Sequence, residues 1–228
     1  MKPAGNIRVR IASVSDLPAI QIIGRETYRE HFPSIWSEDF LQEFLRQDFS
    51  RQSLQQSLSS PGHTWLIARD ASDSVVGYAK VNWDRPEPIS NRIGTELQKI
   101  YFRSQTTGRG YGGTLLEFIA DMAARRSDML WLDVLRSNAG AQRFYARRGF
   151  RILGEIPFRT DLLDIGMVVM ARQLTAGNPF EPQPLPGAAA AGLAAPADPG
   201  RKRIDDDHDP TSFAGRVWAQ VKGHVGFA

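Results

Sequence analysis

A strand, a glycine-rich turn and a helix, in residues 96–116, constrain the fold of this chain more than any other part of its sequence. Residues 96–102 end in Ile, Tyr and Phe, which favour a β-strand. Apolar residues recur at helical spacing from position 115 to position 123. Between the two segments, glycines leave backbone amides uncovered: Gly108, Gly110, Gly112 and Gly113. Because unpaired amides at a helix start favour phosphate oxygens, this turn predicts a diphosphate site.

Two other phosphate-binding patterns are alternatives for this turn. A P-loop is excluded because no Lys-Ser or Lys-Thr follows the glycines. The spacing Gly108-x-Gly110-x-x-Gly113 matches the dinucleotide fingerprint, with Asp133 as the downstream acid. A Rossmann strand runs directly into its first glycine, whereas residues 103–107 intervene here, and the preceding segments resemble hairpins rather than βαβ units. The dinucleotide interpretation is therefore the weaker one.

A longer pattern extends over both sides of the turn. Its first half reads Glu-Leu-x-x-Ile-Tyr-Phe, then four residues, then x-Gly-x-Gly-x-Gly-x-x-Leu-Leu. Its second half consists of residues 131–134, Asn138, Ala141, Phe144-Tyr145 and Gly149-Phe150. In order and spacing the two halves resemble motifs A and B of the GCN5-related N-acetyltransferases, the GNAT superfamily. The resemblance covers about residues 7 to 174 and departs from the family at Thr107, where Gln or Arg is usual.

The resemblance implies a fold and a cofactor. The fold class is α/β (α+β), a mixed, mostly antiparallel sheet of about seven strands, flanked by helices and with a splayed central strand. The cofactor is acetyl-CoA, used as co-substrate without a metal. Main-chain groups of Ile100, Tyr101 and Phe102 are expected to pair with its pantetheine arm. The remaining cofactor contacts are expected from the turn and from motif B: Thr107, Gly108, Arg109, Gly110, Tyr111, Gly112, Gly113, Asn138 and Tyr145.

The local patterns predict the elements that surround this centre. Strands are expected at residues 7–11, 64–69, 75–83, 130–134, 150–156 and 165–172. Helices are expected at 17–31, from about 38 to 45, at 50–58 and at 139–147. The stretch 84–94 is rich in Pro and Asn and predicts a loop before the central strand.

The composition of the chain changes near Thr175. Residues 1–175 are predicted to form the acetyltransferase domain, and the Pro-, Ala- and Gly-rich residues 176–210 a flexible linker. Apolar residues within 211–228 allow a short C-terminal helix. Two interpretations of this segment stay open, a partly ordered tail and a segment that docks on a partner or on the domain.

The overall composition limits the partners. A hydrophobic fraction of 42% and a charged fraction of 23% are those of a soluble globular protein. The absence of cysteine excludes disulfides, thiolate metal sites and a cysteine nucleophile, and it suits the cytoplasm. A net charge of +3 is too small to indicate a nucleic-acid partner, and no segment is apolar enough to predict a membrane span. A homodimer stays open.

Direct transfer of an acetyl group to a primary amine requires a base and an acid. The base is needed because a primary ammonium has a pKa of about 10 and cannot attack while it is protonated. Glu96 is the candidate, since it stands where histone-acetylating members carry their catalytic glutamate; a solvated strand-end carboxylate and a water chain are the alternatives. Tyr145 is the candidate acid, with its phenol expected to face the cleft and Phe144 the core; a structural tyrosine is the alternative.

The acceptor is the least constrained part of the prediction. In this family the first two helices form the acceptor side, which here carries Tyr28, His31, Phe32 and Trp36 beside carboxylates. The stretches 27–32, 40–58 and 77–82 together resemble the bacterial spermidine/spermine N-acetyltransferases, and carboxylates with aromatic rings suit a polycation. The predicted function is acetyl-CoA-dependent N-acetylation of a small amine, with a polyamine as one candidate. A protein or peptide acetyltransferase and a non-catalytic module that binds acetyl-CoA or a partner are the alternatives.

Overall fold

A computed structural model describes residues 7–174 as a seven-stranded mixed sheet with helices on both faces. The strand order is β1-β2-β3-β4-β5-β7-β6, and β4 and β5 form the parallel pair. This architecture confirms the fold class predicted from the sequence. The strands are β1 (Arg8–Ile11), β2 (His63–Arg69), β3 (Val75–Pro86), β4 (Ile93–Phe102), β5 (Met129–Leu135), β6 (Arg151–Ile156) and β7 (Met167–Gln173). The helices are α1 (Leu17–His31), α2 (Glu38–Asp48), α3 (Arg51–Ser59), α4 (Tyr111–Ala123) and α5 (Ala139–Ala146), with short 3₁₀ turns at Val14–Asp16 and Ser104–Thr106.

Two hydrophobic layers cover the two faces of the sheet. Leu115 and Ile119 of α4 pack with Val81 of β3 on one face, together with α5. Helices α1–α3 pack on the other face, where Tyr28 contacts the side of the sheet that carries Tyr78. Because side chains alternate along a strand, the inner strands contribute to both layers, whereas the outermost strands β1 and β6 are largely exposed.

The parallel strands β4 and β5 separate soon after they meet. Within the described residues they pair only at Thr95↔Leu130 and Glu96↔Trp131. β4 continues to Phe102 in register with β3, and β5 continues to Leu135 in register with β7. The backbone groups of β4 beyond Glu96 that point towards β5 therefore face a gap rather than a ladder. The splayed central strand predicted from the sequence is present.

The β3–β4 connection is shorter than the sequence predicted. Residues 84–94 were expected to form a loop, but β3 runs to Pro86 and pairs with Ile93 at the start of β4. The turn closes around the fully buried Glu87, whose carboxylate accepts hydrogen bonds from the amides of Ile89 (2.7 Å) and Ser90 (2.8 Å). The Pro and Asn residues belong to this short turn. The predicted loop was too long because the hydrogen bonds from these backbone amides to Glu87 were not foreseen.

The other differences concern element ends. β6 begins at Arg151, β7 begins at Met167, and α5 ends at Ala146. Such shifts of one or two residues are ordinary, because terminal residues lack half of their hydrogen bonds.

The predicted linker and C-terminal helix lie outside the described residues. No helix in residues 7–174 has the length and apolarity needed to cross a bilayer.

Candidate active site

A cleft of about 760 Å³ opens where β4 ends and α4 begins. Its walls come from the glycine turn, from the end of α1 and from the segment at the end of α5. The lining residues are His31, Phe102, Thr106, Thr107, Gly108, Gly110, Tyr111, Gly112, Gly113, Phe144, Arg147 and Arg148. Seven of the predicted cofactor residues lie in this lining: Phe102, Thr107, Gly108, Gly110, Tyr111, Gly112 and Gly113.

The glycine turn has the backbone that only glycine adopts readily. Gly108 has φ 79° and Gly110 has φ 82°, both in the left-handed region. A Cβ at Gly108 would meet nothing within 4 Å, so its glycine is required by the backbone conformation and not by packing. Gly110 is the N-cap of α4 and has no side chain to cap it. The first amides of α4 are consequently directed at the cleft without a competing acceptor from the cap.

Residues at the end of α5 form a basic wall of the cleft that was not predicted from the sequence. Arg147 and Arg148 both line the cleft. The Arg148 guanidinium carbon lies 3.7 Å from the centre of the Phe144 ring, and Nη1 donates to the Phe144 carbonyl at 3.1 Å. The signal available in the sequence was the spacing of four between Phe144 and Arg148, which brings the two side chains together at a helix end.

The gap between β4 and β5 suits the predicted pantetheine contacts. Ile100 and Tyr101 are fully buried, so their side chains do not line the cleft and only their main-chain groups could contact a ligand. Asn138 caps α5 by accepting a hydrogen bond from the Ala141 amide at 3.0 Å. Its other amide atom, Nδ2, is buried and lacks a hydrogen-bond partner among the described residues. A ligand carbonyl would satisfy this donor, so the cap and the predicted ligand role are compatible.

Glu96 lies at the point where β4 and β5 separate. It is 6% exposed, and its carboxylate accepts a hydrogen bond of 2.7 Å from Asn82 Nδ2 on the neighbouring strand. The alternative of a solvated strand-end carboxylate is therefore wrong, because the side chain is held inside the sheet edge. Its role as the base stays a prediction.

Three further buried polar residues lie on the same face of the sheet as Glu96. Lys80 is opposite Lys99 across β3 and β4, and Asp133 follows Trp131 on β5. Burial, and then the nearby Glu96, raise the pKa of Asp133 well above its usual range. Burial, and then Lys99, lower the pKa of Lys80 to about 7. We refer to Lys80, Asn82, Glu96, Lys99 and Asp133 as the buried polar cluster.

Lys99 connects this cluster to the first two helices. Its ammonium donates to the Tyr28 hydroxyl at 2.9 Å and lies 3.1 Å from the Asp48 carboxylate. The two lysines were not predicted as site residues, because alternation along β3 and β4 predicts a strand without revealing which polar residues face a helix layer.

Tyr145 lies in the core under α4 and α5 and not in the lining of the cleft. Its ring is fully buried beside Phe144 and Phe150, at centroid distances of 5.1 and 5.5 Å. The expected orientation was wrong, since Phe144 lines the cleft and Tyr145 faces the core. The Tyr145 hydroxyl has no hydrogen-bond partner among the described residues, and burial raises its pKa, so the proton is retained.

The predicted acceptor residues divide into two groups. His31 lines the cleft, with Nε2 3.2 Å from the Phe102 carbonyl oxygen. Tyr28, Phe32 and Trp36 are at most 2% exposed and pack on one another and on Tyr101. This geometry gives the three rings a packing role and does not support a substrate contact for them. The helical periodicity that selected them marks the core-facing side of α1.

Arg109, the remaining predicted cofactor residue, is exposed and lies outside the lining of the cleft. Among the described residues, no three His, Asp or Glu side chains come together as a metal site would require.

Comparisons with known proteins agree with this fold and cleft. The model of the Acetyltransferase (GNAT) family matches residues 25–150. An uncharacterized N-acetyltransferase of Lactobacillus delbrueckii subsp. lactis is 32% identical over 66% of this chain and 88% of its own length. An L-methionine sulfoximine/L-methionine sulfone acetyltransferase of Pseudomonas aeruginosa is 29% identical over 65% of this chain and 83% of its own. A spermidine N(1)-acetyltransferase of Thermoplasma acidophilum is 24% identical over 64% and 89%.

Solved structures give the same result for the fold. The crystal structure of the PaiA N-acetyltransferase of Thermoplasma acidophilum in complex with coenzyme A has a TM-score of 0.56 and 23% identity, over 74% of this chain and 99% of that one. The chain belongs to the GNAT family, as its motifs predicted. It is an acetyl-CoA-dependent N-acetyltransferase, and the roles of its individual residues stay predictions.

The glycine turn generates the first prediction. Gly110→Asp should abolish stabilisation of the protein by acetyl-CoA, because the side chain adds bulk and negative charge where the diphosphate is expected. Thermal denaturation with and without acetyl-CoA measures this effect. Gly166→Asp is the matched control, since Gly166 also has a positive φ, 65°, but lies outside the cleft lining. Equal stabilisation of both variants by acetyl-CoA would place the diphosphate elsewhere.

Proposed function

We propose that this protein transfers the acetyl group of acetyl-CoA directly to a primary amine of a small molecule, with Glu96 as the general base. The observation that carries the proposal is the position of Glu96 at the opening between β4 and β5, fixed by its 2.7 Å hydrogen bond from Asn82. A carboxylate held at the site of attack is what a base for an ammonium requires.

Different groups of the chain bind different parts of acetyl-CoA. The amides at the start of α4 bind the diphosphate, and the unpaired main-chain groups of residues 100–102 hold the pantetheine arm as a further strand would be held. Asn138 Nδ2 donates to a carbonyl of that arm. Acetyl-CoA supplies the thioester. These contacts set the thioester carbon at the opening between β4 and β5, next to Glu96.

The proposed chemistry needs two proton transfers. Glu96 removes a proton from the acceptor ammonium, and the free amine then attacks the thioester carbon. As the nitrogen–carbon bond forms, the carbon–sulfur bond breaks and the leaving sulfur takes up a proton. Tyr145 is the proposed donor although its ring packs in the core, because its hydroxyl has no hydrogen-bond partner among the described residues and lies close enough to Asp133 of β5 to interact with it. Asp133 supports this assignment of roles, because its raised pKa keeps a second carboxylate from competing with Glu96 for the proton.

A polyamine such as spermidine or spermine is one candidate for the acceptor. It is supported by the similarity to a spermidine N(1)-acetyltransferase. The carboxylates of α1 that suggested a polycation are, however, already engaged: Glu26 binds Arg103 at 2.8 Å, and Glu30 accepts the Ser104 amide at 3.0 Å. The support for a polycation is thereby weakened.

An acceptor with a single amino group and an anionic or neutral remainder is the second candidate. It is favoured by the buried polar cluster, in which Lys80 and Lys99 lie near Glu96. Lys99 is ion-paired with Asp48, so the repulsion on a second ammonium in this region of low dielectric comes from the protonated form of Lys80. The similarity to an acetyltransferase for L-methionine sulfoximine and L-methionine sulfone supports an acceptor of this class.

The second prediction concerns this choice of acceptor. In a thiol-release assay, L-methionine sulfone should be acetylated with a higher kcat/KM than spermidine or spermine, because it places no second cation near the two lysines. A peptide with an N-terminal alanine is included to test the protein acetyltransferase alternative. A preference of tenfold or more for spermidine would contradict the electrostatic argument, and a preference for the peptide would exclude a small acceptor.

The third prediction tests the base. Glu96→Gln retains an acceptor for Asn82 but cannot take up a proton, so the rate near neutral pH should fall by about 10²–10⁴-fold. The rate of the variant should rise again towards the pKa of the amine, since at high pH the acceptor is deprotonated in bulk water. The measurement is the pH profile of kcat/KM for the acceptor. A wild-type profile in the variant would assign the proton transfer to a water chain.

The fourth prediction tests the acid. Tyr145→Phe should lower kcat by about 10²–10⁴-fold and leave the KM for acetyl-CoA within a few-fold of wild type. The thermal stability should be unchanged or higher, because the hydroxyl that is removed is buried and unpartnered among the described residues. No recovery is expected at high pH, in contrast to Glu96→Gln. An unchanged kcat would leave Tyr145 with a packing role only.

A further inference from the structure

The guanidinium of Arg148 lies directly on the first turn of α4. A Cβ built on Gly113 would be 2.5 Å from Arg148 Nη2, so glycine at this position lets the cation reach the helix backbone. The side chain is held there by two contacts with Phe144, a hydrogen bond of 3.1 Å to its carbonyl and a distance of 3.7 Å to its ring centre. Its position is therefore fixed by the fold and not by chance at an exposed surface.

This placement is electrostatically unfavourable unless an anion is bound. The first turn of a helix carries partial positive charge, and Arg148 adds a full positive charge to it. Burial, and then the neighbouring Arg147, lower the pKa of Arg148. Glu117 is the carboxylate that raises the pKa of Arg148, and it is already ion-paired with Arg172 at 3.0 Å.

We propose that Arg148 binds the diphosphate of acetyl-CoA together with the amides at the start of α4. A planar guanidinium can donate two parallel hydrogen bonds to phosphate oxygens, and the neutral Thr107 and the amides of the turn supply no charge of their own. Bound diphosphate would bridge the two positive groups and remove their repulsion. The inference rests on acetyl-CoA as the co-substrate and adds a residue from motif B to its phosphate site.

The position of Arg148 favours the diphosphate, and not the 3′-phosphate, as the part of the cofactor that it binds. The guanidinium lies against Gly113, in the same helical turn whose amides face the glycine-lined part of the cleft. Arg147 also lines the cleft but is exposed, whereas Arg148 is partly buried against Gly113. The two arginines should therefore contribute unequally to binding.

The test is the binding of coenzyme A and of dephospho-coenzyme A to wild-type protein and to Arg148→Met, by calorimetry. The variant keeps the length of the side chain on Phe144 and removes the charge. We expect its Kd to rise by about ten- to 100-fold for both ligands, as for loss of a hydrogen bond to a charged group. The ligand-free variant should melt close to the wild-type temperature, since the repulsion that is removed offsets the lost hydrogen bond to the Phe144 carbonyl. Arg148→Lys should bind with intermediate affinity.

Arg143→Met is the matched control, because it removes the same charge from α5 at an exposed position outside the cleft lining. Its Kd should be that of wild type. Equal losses of affinity in Arg147→Met and Arg148→Met would indicate a diffuse electrostatic effect of both arginines and overturn the proposal. A loss of affinity in Arg148→Met for coenzyme A but not for dephospho-coenzyme A would assign Arg148 to the 3′-phosphate and also overturn it. An unchanged Kd in Arg148→Met overturns it as well. Wild-type protein that binds neither ligand would overturn the proposed function itself, and with it this inference.

Discussion

The separation of β4 from β5 is the constraint on which the rest of the structure depends. The two strands pair at Thr95 and Glu96 and then diverge, while β3 and β7 continue to hold their outer edges. Backbone donors and acceptors along an unpaired strand edge are costly unless a ligand or water satisfies them. The opening is stable because α4 and α5 cover it on one side and α1–α3 on the other. It is thus a slot inside the sheet and not a frayed outer edge.

Polar residues gather at this slot although it lies inside the protein. Glu96, Asp133, Lys80 and Lys99 are all at most 7% exposed. Charged groups in such a place shift one another's pKa values. Here the pKa of Asp133 is raised, while that of Lys80 is lowered to about 7. Both shifts favour the neutral form, as burial requires. Burial and mutual interaction together leave a cluster in which Glu96 can act against few competing charges.

How far the sequence predicts this molecule depends on whether a feature is local. The glycine turn was predictable because the left-handed φ of Gly108 and Gly110 requires glycine in any context. The mixed sheet followed from strand periodicity together with the family resemblance. The rings of Tyr28, Phe32 and Trp36 were assigned to the acceptor side because helical spacing identifies one face of α1 without saying what covers it. Arg148 was missed because its contact with Gly113 joins residues 35 positions apart.

The same distinction separates the two halves of the active site. The cofactor half consists of backbone, a helix start and the end of one further helix, so its chemistry is set by a few local conformations. The proposed acceptor half depends on side chains from separate elements, Lys80 on β3 and Lys99 on β4, and Lys99 is in turn bound by Tyr28 of α1 and Asp48 of α2. A substitution at either lysine would change the charge near Glu96 without touching the glycine turn. Acceptor choice in this fold can therefore vary while acetyl-CoA binding stays the same.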